Sequence, residues 1–458
     1  MDALLKERML DFQQTGIPAY IKRDAAVTHV KDMVTTIVGG RKTGKTYLTY
    51  QVIDDLLKSG KLASLNHVCY LHFDDEALVA MTPSDLARID RVFLSLLKRS
   101  DHERTLLFVF DEIHAVAGWE HFVLRLKKKP NWLVVVTGST SDLEEDKVAR
   151  QLRGKTFTNR LYPLSFSEFI RFNGCDCQAD RLSSGDRAAI RGLLDGYFER
   201  GGYPALATMS PPLLRQLLQN YFTSIVASDF ILNRGLSNPL ACKAYLRNLL
   251  QKNACPYTHK KELNNLKSMG FNLAPKTVSE WFSWAEESYL IGSAGIGSAS
   301  VKRIAQNYRK LYCCDWAMAN SVTAWPEKRV SRNLETVVYW HLVRAGFTVS
   351  YDLAGPDKAE IDFIVSRPGE PPFAAVQVCT ELSDESTVER EMKALSWYFK
   401  TNPNAHSCVI TLESPSRKTE FPIIPIMDFL LGIDPIFKHE RDQKDASTNP
   451  TPRPPRYS

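Results

Sequence analysis

A glycine-rich turn between a predicted strand and a predicted helix constrains this chain more than any other feature. It fits the pattern GxxxxGK[ST] with the residues Gly39, Gly40, Arg41, Lys42, Thr43, Gly44, Lys45 and Thr46. The β-branched run 34–38 precedes the turn, and residues 47–57 follow it with helical apolar spacing. Such a turn points backbone N–H groups inward beside a helix N-terminus, where anions are favoured. The arrangement predicts a phosphate-binding loop in a parallel α/β domain. A glycine turn without a ligand is the alternative.

The last residues of the motif carry specific chemistry. A lysine at the position of Lys45 reaches the β and γ phosphates of a nucleoside triphosphate, and Thr46 would hold Mg²⁺. With the loop residues and the adjacent Tyr47, they form the predicted binding set for ATP and Mg²⁺.

Two acids follow a second predicted buried strand. Residues 105–110 are an apolar run typical of a parallel strand, and Asp111 and Glu112 come directly after it. Ligands bind at the carboxyl edge of open α/β sheets. We expect Asp111 to help coordinate Mg²⁺ through its water shell and Glu112 to polarise the water that attacks the γ phosphate. The alternative is a carboxylate pair that caps the next helix.

Hydroxyl side chains follow the next predicted strand, residues 132–136. Of residues 137–141, Ser139 is the predicted contact to the γ phosphate or the attacking water, and a Ser/Thr turn capping a helix is the alternative. A short fifth strand is predicted at residues 161–164. Before it, Arg153, or second Arg150, is positioned to reach the γ phosphate of a neighbouring subunit in a homo-oligomer. A surface arginine explains this position equally well.

Size and composition limit the class of protein. A chain of 458 residues exceeds one hydrophobic core, so two or three domains are expected. No stretch approaches the roughly 18 apolar residues of a membrane span, and the charged N-terminus has no signal-peptide pattern. The nine cysteines are scattered without CxxC pairs, which favours reduced thiols over disulfides or a zinc ribbon. We expect a cytoplasmic protein without a membrane partner.

The excess of basic residues is concentrated in one region of the chain. Residues 243–332 contain 14 Lys/Arg and 6 Asp/Glu, whereas the whole chain has a net charge of +6. Their element order, helix, helix and hairpin, predicts a winged-helix region. The predicted contacts to DNA or RNA are Lys276, Lys302, Arg303, Arg309 and Lys310. The alternatives are a solvated basic face and a surface that recruits a protein partner.

The C-terminal region has the outline of a PD-(D/E)xK nuclease, to which it is similar. Glu335 on a predicted helix and Asp362 on a predicted strand match the metal-binding acids of that pattern. Gln377 stands where the glutamate of ExK would be and Cys379 where the lysine would be. Because an amide and a thiol weaken a hard-cation site, we expect the site to be degenerate and cleavage to be lost. Lys358 or Lys393 could replace the lysine in space.

A family resemblance joins these features. The phosphate loop, the residues FDE at 110–112, VTGSTSDL at 136–143, GGYP at 201–204 and SDFILNRG at 228–235 occur in order. The chain resembles the prokaryotic AAA-type ATPases with a C-terminal restriction-endonuclease-like domain, over roughly residues 15–430. The resemblance implies an extra strand between the two nucleotide-binding strands. It also matches Arg23 to an arginine that such proteins often have before the first strand, without assigning it a role.

The expected fold class is α/β, with a P-loop ATPase core, a helical lid, a winged-helix region and a nuclease-like α/β domain. The expected boundaries are 1–170 for the core, 171–240 for the lid, 241–325 for the winged helix, 326–435 for the nuclease-like domain and 436–458 for a disordered tail. The expected function is Mg²⁺-dependent ATP hydrolysis coupled to nucleic-acid association. The alternatives are a nucleotide-dependent switch that recruits a protein partner and an ATP-gated nuclease.

Overall fold

The chain divides into two compact units. A computed structural model describes residues 1–139, 152, 154–175, 181–232, 234–236, 238–297, 309–323, 329–354, 359–382, 385–413, 419–434 and 436–437. The first unit comprises Met1–Leu164, Tyr203–Ala205 and Ser283–Leu290, and the second comprises Ser165–Gly202, Leu206–Phe282 and Ile291–Ser458. No helix in the described part of the chain is long and apolar enough to cross a membrane.

A five-stranded sheet forms the centre of the first unit. Its strands are β1 (Val34–Gly39), β2 (Val68–His72), β3 (Leu106–Asp111), β4 (Trp132–Ser139) and β5 (Thr156–Arg160), in the order β2-β3-β4-β1-β5. Every neighbouring pair is parallel. The parallel α/β core is therefore confirmed. Strand β4 lies between β1 and β3, so the sheet has the extra strand between the glycine turn and the acidic pair that the resemblance implies.

Helices cover both faces of this sheet. They are α1 (Asp2–Thr15), α2 (Lys45–Lys58), α3 (Glu76–Val79), α4 (Pro83–Leu86), α5 (Ile89–Leu96) and α6 (Trp119–Leu126). Side chains alternate along a strand, so Phe108 and Phe110 pack into one core with α1, α5 and α6. Leu107 and Val109 pack into the opposite core with α2. The apolar run of β3 is explained by burial on both faces.

The fifth strand lies before the predicted position. Residues 156–160 pair with β1, whereas the prediction placed a strand at 161–164. The backbone N–H of Leu161 still donates to the carbonyl of Val38 at 2.7 Å. Pro163 has no N–H and cannot extend the ladder, so the apolar segment leaves the sheet.

The second unit combines helices with an eight-stranded mixed sheet. Its helices are α7 (Phe166–Phe172), α8 (Ser184–Arg200), α9 (Pro211–Ile225), α10 (Pro239–Gln251), α11 (His259–Ser268), α12 (Pro275–Glu287), α13 (Trp316–Ser321), α14 (Val330–Arg344), α15 (Glu385–Thr401) and α16 (Ile426–Leu431). Residues Val226–Leu232 continue α9 as a π-helix. The last residues of α12 are grouped with the first unit.

Its strands are β6 (Cys255–Tyr257), β7 (Ile291–Ile296), β8 (Arg309–Cys313), β9 (Thr348–Ala354), β10 (Ala359–Ser366), β11 (Pro372–Cys379), β12 (His406–Thr411) and β13 (Ile423–Pro425). They lie in the order β13-β12-β11-β10-β9-β7-β8-β6. Strands β7 and β8 are an antiparallel pair, and β7 runs parallel to β9. Strands from the predicted winged-helix and nuclease-like regions therefore share one sheet.

The end of the described chain is also ordered beyond the predicted boundary. Phe437 is buried and packs against Phe347, Phe373 and Phe429, although the tail was predicted to begin at residue 436. Residues 438–458 lie outside the described part.

Candidate functional site

The glycine turn is held in a shape that its sequence permits. Gly44 precedes α2 with φ 95°, and Lys42 also has a left-handed backbone with φ 65°. A Cβ on Gly39 would meet the carbonyl oxygen of Leu161 at 2.2 Å. Glycine is therefore required at 39 for space and favoured at 44 for conformation. Alternating left-handed residues turn successive N–H groups to one side, which produces an anion-binding concavity at the N-terminus of α2.

The ammonium group of Lys45 lies inside this turn. The side chain is 6% exposed, and Nζ donates to the carbonyl oxygens of Gly39 at 3.2 Å and Gly40 at 3.3 Å. Nζ also lies 3.5 Å from Oε1 of Glu112. The structure thus places Lys45 between the turn and the acidic pair at the end of β3.

Asp111 is fully buried and surrounded by donors. Oδ2 accepts from the hydroxyl of Thr46 at 2.7 Å and from that of Tyr70 at 3.1 Å. Oδ1 accepts from the hydroxyl of Thr137, and Nε2 of His72 lies 3.4 Å from Oδ2. Such a set fixes the orientation of the carboxylate beside the Thr46 hydroxyl.

Glu112 follows in a strained conformation. Its backbone is left-handed with φ 55°, which costs a non-glycine residue about 1–2 kcal/mol. The backbone N–H of Glu112 donates to the hydroxyl of Thr137 at 3.0 Å, and its Oε2 lies 3.3 Å from Nδ1 of His114. Burial alone would raise the pKa of Glu112, but electrostatic interactions with Lys45, His114 and Arg41 outweigh burial and lower that pKa. The carboxylate is therefore ionised at neutral pH.

The structure adds Thr137 to the predicted set. Its hydroxyl contacts both acids, donating to Asp111 and accepting from the N–H of Glu112. The strand register explains this contact. Phe110 of β3 pairs with Val136 of β4, so Asp111 and Thr137, which follow them in parallel strands, are neighbours. Ser139, the predicted contact, pairs through its backbone with Gly39 and so ends beside the turn.

The other residues predicted for the ATP site have fewer contacts with the acidic pair or lie outside the described residues. Tyr47 is more than half exposed and packs edge-on against Tyr50 with ring centroids 5.8 Å apart. Arg41 lies near enough to Glu112 to lower its pKa, whereas Lys42 is exposed. Arg150 and Arg153 fall in segments that the structure does not describe.

Lys310 is placed differently from its prediction as a surface contact to nucleic acid. It is 3% exposed, and its ammonium lies 2.6 Å from Glu335, 2.5 Å from Glu360 and 3.1 Å from Asp362. A buried ammonium paired with carboxylates cannot also neutralise a phosphate, so this expectation is corrected. Lys310 thus joins the two acids that the nuclease outline had singled out, together with Glu360.

The other basic residues predicted to contact nucleic acid differ in exposure and in their contacts. Lys276 at the start of α12 is exposed and lies 3.6 Å from Glu280, one helical turn away. Arg309 stacks its guanidinium over Phe282 and donates to the hydroxyl of Ser293 at 3.0 Å. Lys302 and Arg303 are outside the described ranges.

One ammonium cannot balance three carboxyls at this position. The pKa of Glu335 is raised to about 8 by burial first and by Asp362 second, although Lys310 and the hydroxyl of Tyr312 oppose the shift. Tyr312 donates to Oε1 of Glu335 at 2.8 Å. Burial also raises the pKa of Asp362, and the three acids raise that of Lys310 against its own burial. A pKa of about 8 favours the protonated form of Glu335 at neutral pH.

The two substituted positions of the nuclease outline have structural contacts. Oε1 of Gln377 accepts from the backbone N–H of Asp362 at 2.8 Å, and Nε2 donates to the carbonyl of Glu360 at 3.1 Å and to Glu391. Cys379 is buried, which raises its pKa to about 12 and keeps the thiol protonated. The structure brings Glu335, Asp362 and Gln377 together around β10. Lys358 is not described, so its predicted replacement role lies outside these ranges.

Comparison with protein families gives two matches. Residues 31–170 match the family described as an AAA domain, and residues 191–329 match a domain of unknown function, DUF8612. The first match spans the turn, the acidic pair and all five strands of the parallel sheet.

Two relatives align over most of the chain. An uncharacterized protein of Methanocaldococcus jannaschii is 28% identical over 397 residues, covering 85% of this chain and 84% of its own. An uncharacterized protein of Haemophilus influenzae is 26% identical over 355 residues, covering 78% and 84%.

Solved structures match weakly. The Walker-type ATPase of Pyrococcus abyssi has a TM-score of 0.38 at 13% identity, covering 69% of this chain and 94% of its own. Cdc6p of Pyrobaculum aerophilum has a TM-score of 0.24 at 12% identity, covering 70% and 93%. The family match and the parallel sheet together support an AAA-type domain at residues 31–170.

Proposed function

We propose that the first unit binds ATP with Mg²⁺ and hydrolyses the γ phosphate, with Lys45, Thr46, Asp111 and Glu112 as the principal groups. One observation carries the proposal: the Lys45 ammonium, inside the glycine turn, lies 3.5 Å from the Glu112 carboxylate. An anion-binding turn and an ionised carboxylate are thereby adjacent, as a reaction between a triphosphate and water requires.

The oxygen groups beside the turn fit a magnesium ion. Mg²⁺ prefers hard oxygen ligands and is held in ATPases by one or two protein groups together with substrate phosphates. The Thr46 hydroxyl and the buried Asp111 carboxylate, 2.7 Å apart, would hold the ion, which would neutralise phosphate charge when bound. The described residues contain no group of three or more His, Cys, Asp or Glu side chains that could hold a metal by themselves.

The charge of each protein group determines its proposed role. Lys45 binds phosphate oxygens as a point charge, and the backbone N–H groups of the turn add further donors. Glu112, kept ionised by neighbouring positive charges, accepts a hydrogen bond from the attacking water and orients it. Thr137 fixes the backbone of Glu112 and the carboxylate of Asp111 in one arrangement.

Removing the Thr46 hydroxyl is expected to raise the Mg²⁺ concentration needed for half-maximal ATP turnover. Thr46→Ala deletes one oxygen ligand and also a donor to Asp111, so we expect a rise of about 10-fold. A magnesium titration of turnover measures it. Thr46→Ser keeps the hydroxyl and serves as the matched control. An unchanged magnesium requirement in Thr46→Ala would remove this residue from the proposed site.

Nucleic-acid association is a further part of the proposal and rests on the basic excess in residues 243–332. Burial of Lys310 removes it from the predicted nucleic-acid contacts, whereas Lys276 is exposed. ATP turnover compared with and without DNA or RNA, at two salt concentrations, separates this coupling from a switch that recruits a protein. Nuclease cleavage is disfavoured by Gln377 and Cys379, which occupy the two positions of the pattern with neutral groups.

A further inference from the structure

Arg23 is a buried cation in contact with the phosphate-binding turn. It lies in the segment between α1 and β1, and its side chain is 5% exposed. Nη1 donates to the backbone carbonyl of Thr43 at 2.8 Å, and Nη2 donates to that of Tyr162 at 2.8 Å. The guanidinium therefore joins the turn to the chain that leaves β5. Burying a guanidinium is costly, so a site that does so needs strong hydrogen bonds in return.

The Thr43 carbonyl has particular importance because of the peptide bond to which it belongs. In a planar trans peptide, the carbonyl of Thr43 and the N–H of Gly44 point in opposite directions. The carbonyl is held toward Arg23, so the N–H of Gly44 is directed away from Arg23. A donor on the outside of the turn thus sets the direction of an N–H group within the sequence that would bind phosphate.

Arg23 is itself fixed by α2. Its backbone N–H donates to Oε1 of Gln51 at 2.8 Å, and Nε2 of Gln51 donates to its carbonyl at 3.1 Å. Gln51 is buried on α2, the helix that begins at Lys45. Arg23 consequently links the turn, the segment that follows β5 and helix α2. Such a link limits the rotation of the Thr43–Gly44 peptide relative to the helix.

We infer that Arg23 is a positioning residue for ATP binding, which it promotes by holding the Thr43–Gly44 peptide in its phosphate-binding orientation. The inference rests on the proposed function of the turn. It assigns Arg23 no contact with the nucleotide. Loss of the guanidinium leaves the Thr43–Gly44 peptide free to rotate. Binding of ATP must then order this peptide, which weakens the net binding free energy.

The test compares Mg²⁺–ATP affinity, KM and kcat of Arg23→Met, Arg23→Lys and the wild type. Arg23→Met is expected to weaken affinity and raise KM by about 10-fold, with a smaller change in kcat because bound phosphate reorders the turn. Arg23→Lys is expected to rescue little, since one ammonium does not reproduce a planar fork that reaches two carbonyls. Lys22→Met removes the neighbouring exposed charge and serves as the control.

The outcomes separate this inference from the function on which it rests. A wild type that binds no Mg²⁺–ATP overturns the proposed function itself. A wild type that binds, alongside folded Arg23 variants with unchanged affinity and KM, overturns only the positioning role. Circular dichroism of each variant establishes that it is folded. If Arg23→Met lowers the unfolding temperature but binds ATP as tightly as the wild type, Arg23 stabilises the fold without positioning the turn.

Discussion

Glu112→Gln is expected to lower ATP turnover by about 100-fold or more while ATP binding persists. A positioned general base contributes about 10²–10⁴-fold to rate, and glutamine has the same size without the negative charge. The removed charge lies 3.5 Å from the Lys45 ammonium, so its loss leaves Lys45 available to phosphate. Affinity for Mg²⁺–ATP should therefore be equal or higher. Single-turnover hydrolysis and equilibrium binding measure the two effects separately.

The matched control for this variant is Glu103→Gln. Glu103 is exposed and precedes β3, whereas Glu112 follows it, so the two acids lie toward opposite ends of the same strand. Turnover in the control should equal that of the wild type. If Glu112→Gln hydrolyses ATP at the wild-type rate, Glu112 does not orient the attacking water.

Lys310→Met is expected to destabilise the second unit by about 3–5 kcal/mol, the usual cost of breaking a buried ion pair from one side. The substitution keeps the length and apolar stem of the side chain but leaves the Asp362 carboxyl without its ammonium partner, and it removes the contact of that ammonium with Glu335. Glu360 is more than a third exposed and is hydrated more readily. Urea unfolding, with amide hydrogen exchange in β8 and β10, measures the change.

Glu335→Gln provides the contrasting variant. The folded pKa of Glu335 is about 8 against an ordinary value of 4.5, so the folded state binds more protons between these pH values. Its contribution to stability is fully present below about pH 4.5 and is lost as the pH rises through 8. Glu335→Gln, which resembles the protonated acid, should cost little at pH 7 and should flatten this pH dependence.

The exposed Lys267 on α11 supplies the control for the loss of one positive charge. Lys267→Met should unfold at the wild-type urea concentration. Wild-type stability in Lys310→Met would contradict the proposed importance of the buried cluster.

Local motifs predicted the first unit well because the chemistry and the backbone conformation are encoded together. The glycine turn requires its glycines at fixed spacing, and an apolar strand that is buried on both faces delivers Asp111 and Glu112 to one edge of the sheet. The apolar residues 161–164 predict a strand that does not form there. The polar alternating run 156–160 pairs with β1 instead.

The second unit was less predictable because its important contacts join distant segments. The sequence predicts Lys310 as a surface contact, since a lysine in a basic region is usually solvated. Its partners on α14 and β10 follow it by 25 to 52 residues in the chain. The neighbouring aromatic Tyr312 on the same strand face was the available signal, because alternate residues of a strand share a face. Charge alone does not reveal such pairing, because it depends on which strands are adjacent.

The most direct test of the central claim is equilibrium binding of ATP in magnesium buffer by the wild type, Lys45→Ala and Lys58→Ala. The two lysines lie at opposite ends of α2, and Lys58 is exposed and paired with Asp54. We predict saturable binding by the wild type and Lys58→Ala, and affinity about 10- to 100-fold weaker in Lys45→Ala. Absence of binding by the wild type, or equal binding by all three proteins, would contradict the assignment of this turn as the ATP site.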